Sequence, residues 1–148
     1  MPDPTPGPAA SPMASPMANY EPDAHPEAVA AALAAFDRFL VAFNAYDHQG
    51  ISEALHYPHY RLQRGTLAVW QDAADYLAGA KSRIGPRWHH SVCDFRRPLA
   101  AAADKVHLDV QWTRFQEDGT PYLRFRALWV MARIDGRWAA QLRSSFEP

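Results

Sequence analysis

"WTRFQEDGTPYLRFRALWVMARIDGRWAAQLRSSF", Trp112 to Phe146, is the stretch that decides the fold. Asp-Gly occurs twice in it, at 118–119 and 135–136, each time between segments rich in β-branched and aromatic residues. That is the strongest short-range hairpin signal, because both turn positions need the left-handed backbone these residues tolerate. Taking each pair as a two-residue loop sets the register. Trp112 then faces Phe125, Arg114 faces Leu123, Trp129 faces Leu142 and Phe125 faces Phe146. One face of the meander carries Leu108, Val110, Trp112, Phe125, Ala127, Trp129, Met131, Ala140, Leu142 and Phe146, which is the expected core.

Working back, the strands are predicted at about 87–98, 104–116, 121–134 and 137–146, with boundaries good to roughly two to four residues. The first of them holds "RWHHSV", where two adjacent histidines must point to opposite faces. A turn centred near Ala102 puts His90 and Val92 inward with Trp88. A slip of one residue puts His89, Ser91 and Cys93 inward instead. The first arrangement buries a Trp and a Val and is the favoured one. "HYRLQR" and "TLAVW" read as two short strands around Gly65, with Tyr60, Leu62 and Arg64 sharing one face.

Helices precede them. Val29, Leu33, Phe36, Leu40 and Phe43 recur at helical spacing after Pro26, and the pattern ends near Asp47. "GISEALHY" is a shorter helix stopped by Pro58. "QDAADYLAGAKSRIG" is a third, capped by Asp72 and ended by Gly85. Residues 1–25 are rich in proline and poor in large aliphatics, which predicts a disordered tail before a domain spanning 26–148.

The 148 residues suffice for one cored domain, and a formal net charge of −1 gives no reason to expect nucleic acid or an anionic membrane. Thirteen of the fifteen basic residues are arginine. The single Cys93 excludes an intramolecular disulfide. No uninterrupted run of eighteen apolar residues and no signal-peptide pattern appear, so a cytoplasmic protein is expected.

Helix, short helix, two strands, helix and a four-stranded meander is the order of the nuclear transport factor 2-like fold. "FNAYDHQGI" resembles the end of the first helix in ketosteroid isomerases and SnoaL-type polyketide cyclases, and "ALHYPHYRL" their second helix running into the first strand. "RWHHSV" resembles the third strand, and "LWVMARIDGRWAAQLRSSF" is similar to the last hairpin. The resemblance covers residues 28–147. It implies an α+β fold: a curved, mostly antiparallel sheet closed by three helices into a cone with an internal ligand cavity. The isomerase tyrosine falls at Phe39 and its carboxylate at Arg64, so steroid-isomerase chemistry is not implied. A histidine of scytalone dehydratase lands on His90, while an aspartate of that enzyme falls near Asn44.

The expected activity is therefore a cofactor-independent lyase or isomerase acting by acid–base chemistry on a small apolar, aromatic or polycyclic oxygenated molecule. The reaction would be dehydration, isomerisation or retro-aldol cleavage. His90 would move the proton, with Arg64 and Tyr60 stabilising the oxyanion. Trp70, Trp88, Trp112, Arg114, Phe125, Trp129 and Phe146 would line the substrate site. His56 and His59 are three apart, but Pro58 breaks helical spacing and no acidic ligand lies nearby, so no metal and no other cofactor is expected. The rival is a non-catalytic ligand-binding or dimeric assembly module. A homodimer is expected through the outer sheet face, which this register assigns His107, Asp109, Gln111 and Thr113 beside Arg124, Arg126, Leu128, Val130, Gln141 and Arg143.

Overall fold

The computed structural model describes Met1, Gly7 and residues 17–148. The expected tail over residues 2–6 and 8–16 lies outside the described residues. Tyr20 and the turn that follows it lie against the domain. The Ala101 amide donates to the Tyr20 carbonyl (2.8 Å), and a short 3-10 turn at Pro22–Ala24 leads into the first helix.

That helix, α1, spans Pro26–Ala45, with proline in its first turn and Tyr46 in the left-handed conformation just past its end. Its length and apolarity would suit a membrane span, but its inner face packs on the sheet. The buried face is Ala28, Ala32, Ala35, Phe36, Phe39 and Ala42, flanked by half-buried Val29, Leu33, Leu40 and Phe43. The alanines bring the helix axis close to the sheet, so the contact face is rotated from the stripe of large residues alone.

Helix α2 (His48–Glu53) is shorter than expected, because the chain enters strand β1 (Leu55–Gln63) already at Leu55. Pairing explains the early start: β1 runs parallel to the last strand, with Leu55 beside Ala140 and Arg61 beside Arg143. Strand β2 (Thr66–Trp70) returns antiparallel. The expected third helix is two, α3 (Ala73–Ala78) and α4 (Ala80–Ile84), broken at Gly79. Arg83 folds back there, and a Cβ on Gly79 would meet its Nη1 at 2.6 Å. Asp72 caps α3 as expected, accepting from the Asp75 amide at 2.8 Å.

Strands β3 (His90–Ala102), β4 (Lys105–Phe115), β5 (Pro121–Ile134) and β6 (Arg137–Ser145) complete a six-stranded curved sheet in the order β2-β1-β6-β5-β4-β3. The β4–β5 register is the expected one, with Trp112 beside Phe125 and Arg114 beside Leu123. The β5–β6 register is not. A bulge at Gln141 puts Trp129 beside Arg143 and Val130 beside Leu142. One extra residue inverts everything beyond it, so Leu142 and Phe146 leave the core and are exposed, while Arg143 enters.

Strand β3 departs likewise. Its turn is Ala103-Asp104, and irregularities at Asp94 and Leu99 leave Cys93 beside Trp112, Ser91 beside Arg114 and His90 beside Phe115. Asn44, at the end of α1, pins this strand: its Nδ2 donates to the Ser91 carbonyl (2.8 Å) and its Oδ1 accepts from the Ser91 amide (2.9 Å). The core lies between α1 and the concave face, around Phe36, Phe39, Leu108, Val110, Trp112, Trp129 and Met131.

Candidate functional site

The concave face and the helices enclose a cavity of about 710 Å³ of empty space, counted out to its open mouth. Its floor is aromatic: Phe39, Phe43, Trp112, Phe125 and Trp129. Phe39 and Phe43 stack at 5.4 Å, and Trp129 meets Phe39 at 5.0 Å and Trp112 at 6.0 Å. Its charged lining is Arg61 from β1, Arg83 from α4, Arg114 from β4, Arg143 from β6 and Glu147 beyond β6.

Arg114 and Glu147 form a two-pronged ion pair in which each side chain is almost buried. The other three arginines meet no carboxylate among the described residues. Arg143 donates from Nη2 to the Tyr76 hydroxyl (3.0 Å), and Arg83 from Nη2 to the Tyr76 carbonyl (2.6 Å). All three lie over ring faces: Arg61 5.2 Å above Trp70, Arg83 4.6 Å above Trp70 and Arg143 5.0 Å above Trp129. Burial, then Arg143, pushes the Arg61 guanidinium down to about 10, and burial likewise lowers that of Arg83. Arg61 remains a cation at neutral pH.

Behind this wall His59 is fully buried between Trp70 and Tyr76, its Nδ1–H donating to the Ala140 carbonyl (3.2 Å). Burial, with Arg143 second, holds its imidazole down at about 3, so it is neutral. His56 sits between the Ala132 carbonyl (2.9 Å) and the Arg137 guanidinium (3.2 Å). No group of three His, Cys, Asp or Glu side chains able to hold a metal occurs among the described residues. Burial raises the Cys93 thiol to about 11, which leaves it unreactive at neutral pH.

Of the expected site residues, Trp112, Arg114, Phe125 and Trp129 line the cavity. Trp70 is buried beneath Arg61 and Arg83, and Trp88 packs edge-on to Phe43 (5.2 Å) with its Nε1 donating to Ser91 Oγ (2.9 Å). The structure does not bring His90, Arg64 and Tyr60 together in the cavity. His90 stacks flat on Phe115 at 5.0 Å, with its Nδ1 2.9 Å from that of His89, because the bulges give the inward positions to Ser91 and Cys93. Arg64 is exposed in the β1–β2 turn and donates to the Pro148 carbonyl. Tyr60 shares the outer face with exposed Leu62, because His59, Arg61 and Gln63 take the inner one. Phe146 is 75% exposed on the far side of the β6 bulge.

Sequence reasoning missed Arg61, Arg83, Arg143, Tyr76 and Glu147. The available signal was parity: Arg61 alternates with His59 and Gln63, and a polar inner row marks a strand that faces a cavity.

Comparison with known proteins agrees with this architecture. An NTF2-like protein of unknown function from Shewanella oneidensis MR-1 superposes with a TM-score of 0.66 at 10% identity, over 80% of this chain and 98% of that one. A ketosteroid isomerase-like protein from Erwinia carotovora atroseptica superposes with 0.61 at 17% identity, over 82% and 98%. LinA superposes with 0.60 at 18% identity, over 86% and 91%. No family profile and no curated protein sequence matches the chain. The chain has the nuclear transport factor 2-like fold.

Proposed function

We propose that the cone binds a small, mostly apolar oxygenated molecule and carries out cofactor-independent acid–base chemistry on it in the cytoplasm. Dehydration, isomerisation and retro-aldol cleavage are the reaction types the lining suits. The observation that carries this is the arrangement of charge over an aromatic floor. Among the described residues Glu147 is the one carboxylate in the lining, and Arg61 and Arg143 have no carboxylate within salt-bridge distance. Glu147 would accept the proton as the carbon acid ionises, and the arginine wall would hold the substrate's oxygens, the developing oxyanion among them.

The second reading, a non-catalytic binding module, is favoured by the Arg114–Glu147 ion pair, which already engages that carboxylate. 2-Tetralone, an apolar bicyclic ketone, separates the two. Incubated with the chain in D₂O, it is expected to quench tryptophan fluorescence saturably and to exchange its α-protons faster than in buffer. Glu147→Gln should slow that exchange by about two to four orders of magnitude while binding persists. Binding without accelerated exchange would leave the non-catalytic module. Absence of both would remove the cavity reading.

The outer sheet face supports a homodimer. Val69, Tyr60, Leu142 and Val130 form one row across β2-β1-β6-β5, and Leu67, Leu62, Ser144 and Leu128 the next. Leu62 and Leu67 are 46% and 60% exposed, an unusual outlay of apolar surface for a monomer. Arg143, expected on this face, has turned inward. Light scattering should give twice the chain mass, and Leu62→Glu should halve it. A monomeric wild type would refute the dimer.

A further inference from the structure

We propose that the molecule held in the cone is an organic acid with an aromatic or alicyclic body, its carboxylate seated against Arg61 and Arg143. This rests on the cavity being the binding site, as proposed above.

The first ground is a conflict in the sheet. Arg61 and Arg143 are direct partners on the neighbouring parallel strands β1 and β6, and both line the cavity. Neighbouring strands lie about 4.8 Å apart, so two like charges side by side on one face repel. Burying them adds a desolvation cost. Burial and mutual repulsion already depress the Arg61 guanidinium.

The second ground is what is missing around them. Arg96, Arg97, Arg114, Arg124 and Arg126 each have a carboxylate within salt-bridge distance. Arg61, Arg83 and Arg143 have none among the described residues, and the Nε of both Arg61 and Arg143 is buried without an acceptor. Among the described residues the cavity therefore holds four arginines against one carboxylate, Glu147, which is paired to Arg114 and reaches Arg61 only through space.

The third ground is fit. The guanidinium groups sit over the Trp70 and Trp129 rings, which restricts their movement. A guanidinium held in place presents parallel N–H donors that match the two oxygens of a carboxylate. One residue pair further along the inner face, Gln63 lies beside Ser145 and extends the polar wall. The aromatic part of the lining, Phe39, Phe43 and Trp112, is apolar and suits a ring. A ligand with a charged end and a ring body satisfies both halves.

Calorimetric titration of the full chain at pH 7.5 and low salt with 2-naphthoate and with 2-naphthamide tests this. The two probes share size and ring and differ in charge. The acid is expected to bind at least tenfold more tightly. Arg61→Met and Arg143→Met should each remove most of the acid's advantage over the amide, with circular dichroism checking that the variants are folded. Arg143→Lys should keep part of the difference, since the charge survives without the fork. Equal affinity for acid and amide in the wild type, or preference for the amide, would overturn the carboxylate assignment and leave the cavity as a site for neutral molecules. Binding of neither would overturn the cavity reading and this inference together.

Discussion

Trp129→Ala will lower the stability of the fold by about 3–5 kcal/mol, the usual cost of deleting a large buried aromatic. Trp129 is 1% exposed, on the central strand β5, and joins the two halves of the core. Its ring meets Phe36 edge-on at 5.1 Å and lies 5.0 Å from Phe39 and 6.0 Å from Trp112. Each well-placed aromatic pair adds about 0.5–1.5 kcal/mol beyond the buried area. The hole left would join the cavity, fill with water and leave the guanidinium of Arg143 without its ring face. Against a total stability of about 5–15 kcal/mol for a domain, the loss is large. Trp129→Phe is expected to cost far less, roughly 1 kcal/mol, because it keeps a ring and removes the indole Nε1–H, which is buried without an acceptor. Urea unfolding of the three proteins checks both numbers. A Trp129→Ala variant within 1 kcal/mol of wild type would show that the core does not close around this residue.

The fold will also lose stability in mild acid, and His59 is the cause. Its folded pKa of about 3 lies below its ordinary 6.5, because burial and the nearby cations Arg143 and Arg61 oppose a second positive charge. Above pH 6.5 the ring is neutral folded or unfolded, so stability is at its full value. As pH falls from 6.5 towards 3, the unfolded chain takes a proton that the folded chain refuses, and stability falls by up to about 1.4 kcal/mol per pH unit. Below 3 this contribution is flat again. His59→Phe keeps a ring between Trp70 and Tyr76 and cannot titrate. Its melting temperature should vary less between pH 6.5 and 4 than that of the wild type. Parallel pH profiles for the two would mean that the acid loss comes from elsewhere.

How far the sequence revealed all this depends on which strand is asked. Counting outward from Asp118-Gly119 gives the observed pairing of Trp112 with Phe125 and of Arg114 with Leu123, although the ladder shifts next to the turn, where Phe115 faces Pro121. Asp135-Gly136 is an equally clear turn, but the bulge at Gln141 lies between it and the site. Nothing in "WAAQLRSS" announces an extra residue, and Leu142 looks like the better core residue than Arg143. Hydrophobic alternation then gives the inverted answer. Strand β1 misleads for a related reason. Its apolar Leu62 belongs to the outer face and its polar His59, Arg61 and Gln63 to the inner, because the inner face borders a cavity and the outer one is apolar. Parity arguments assume that the concave side is dry. In a cone with a charged wall that assumption fails at the site itself. The aromatic floor was legible, the arginine wall was not.

In the proposed complex an organic molecule lies in the cavity beneath α1, ring against the aromatic floor and charged end against β1 and β6. The most direct measurement is a crystal structure of the chain with 2-naphthoate bound. It should show the rings among Phe39, Phe43 and Trp112, with the carboxylate oxygens within hydrogen-bond distance of Arg61 and Arg143. An empty cavity, with the ligand lying only in the outer groove beside Leu99, Leu128 and Phe146, would contradict it.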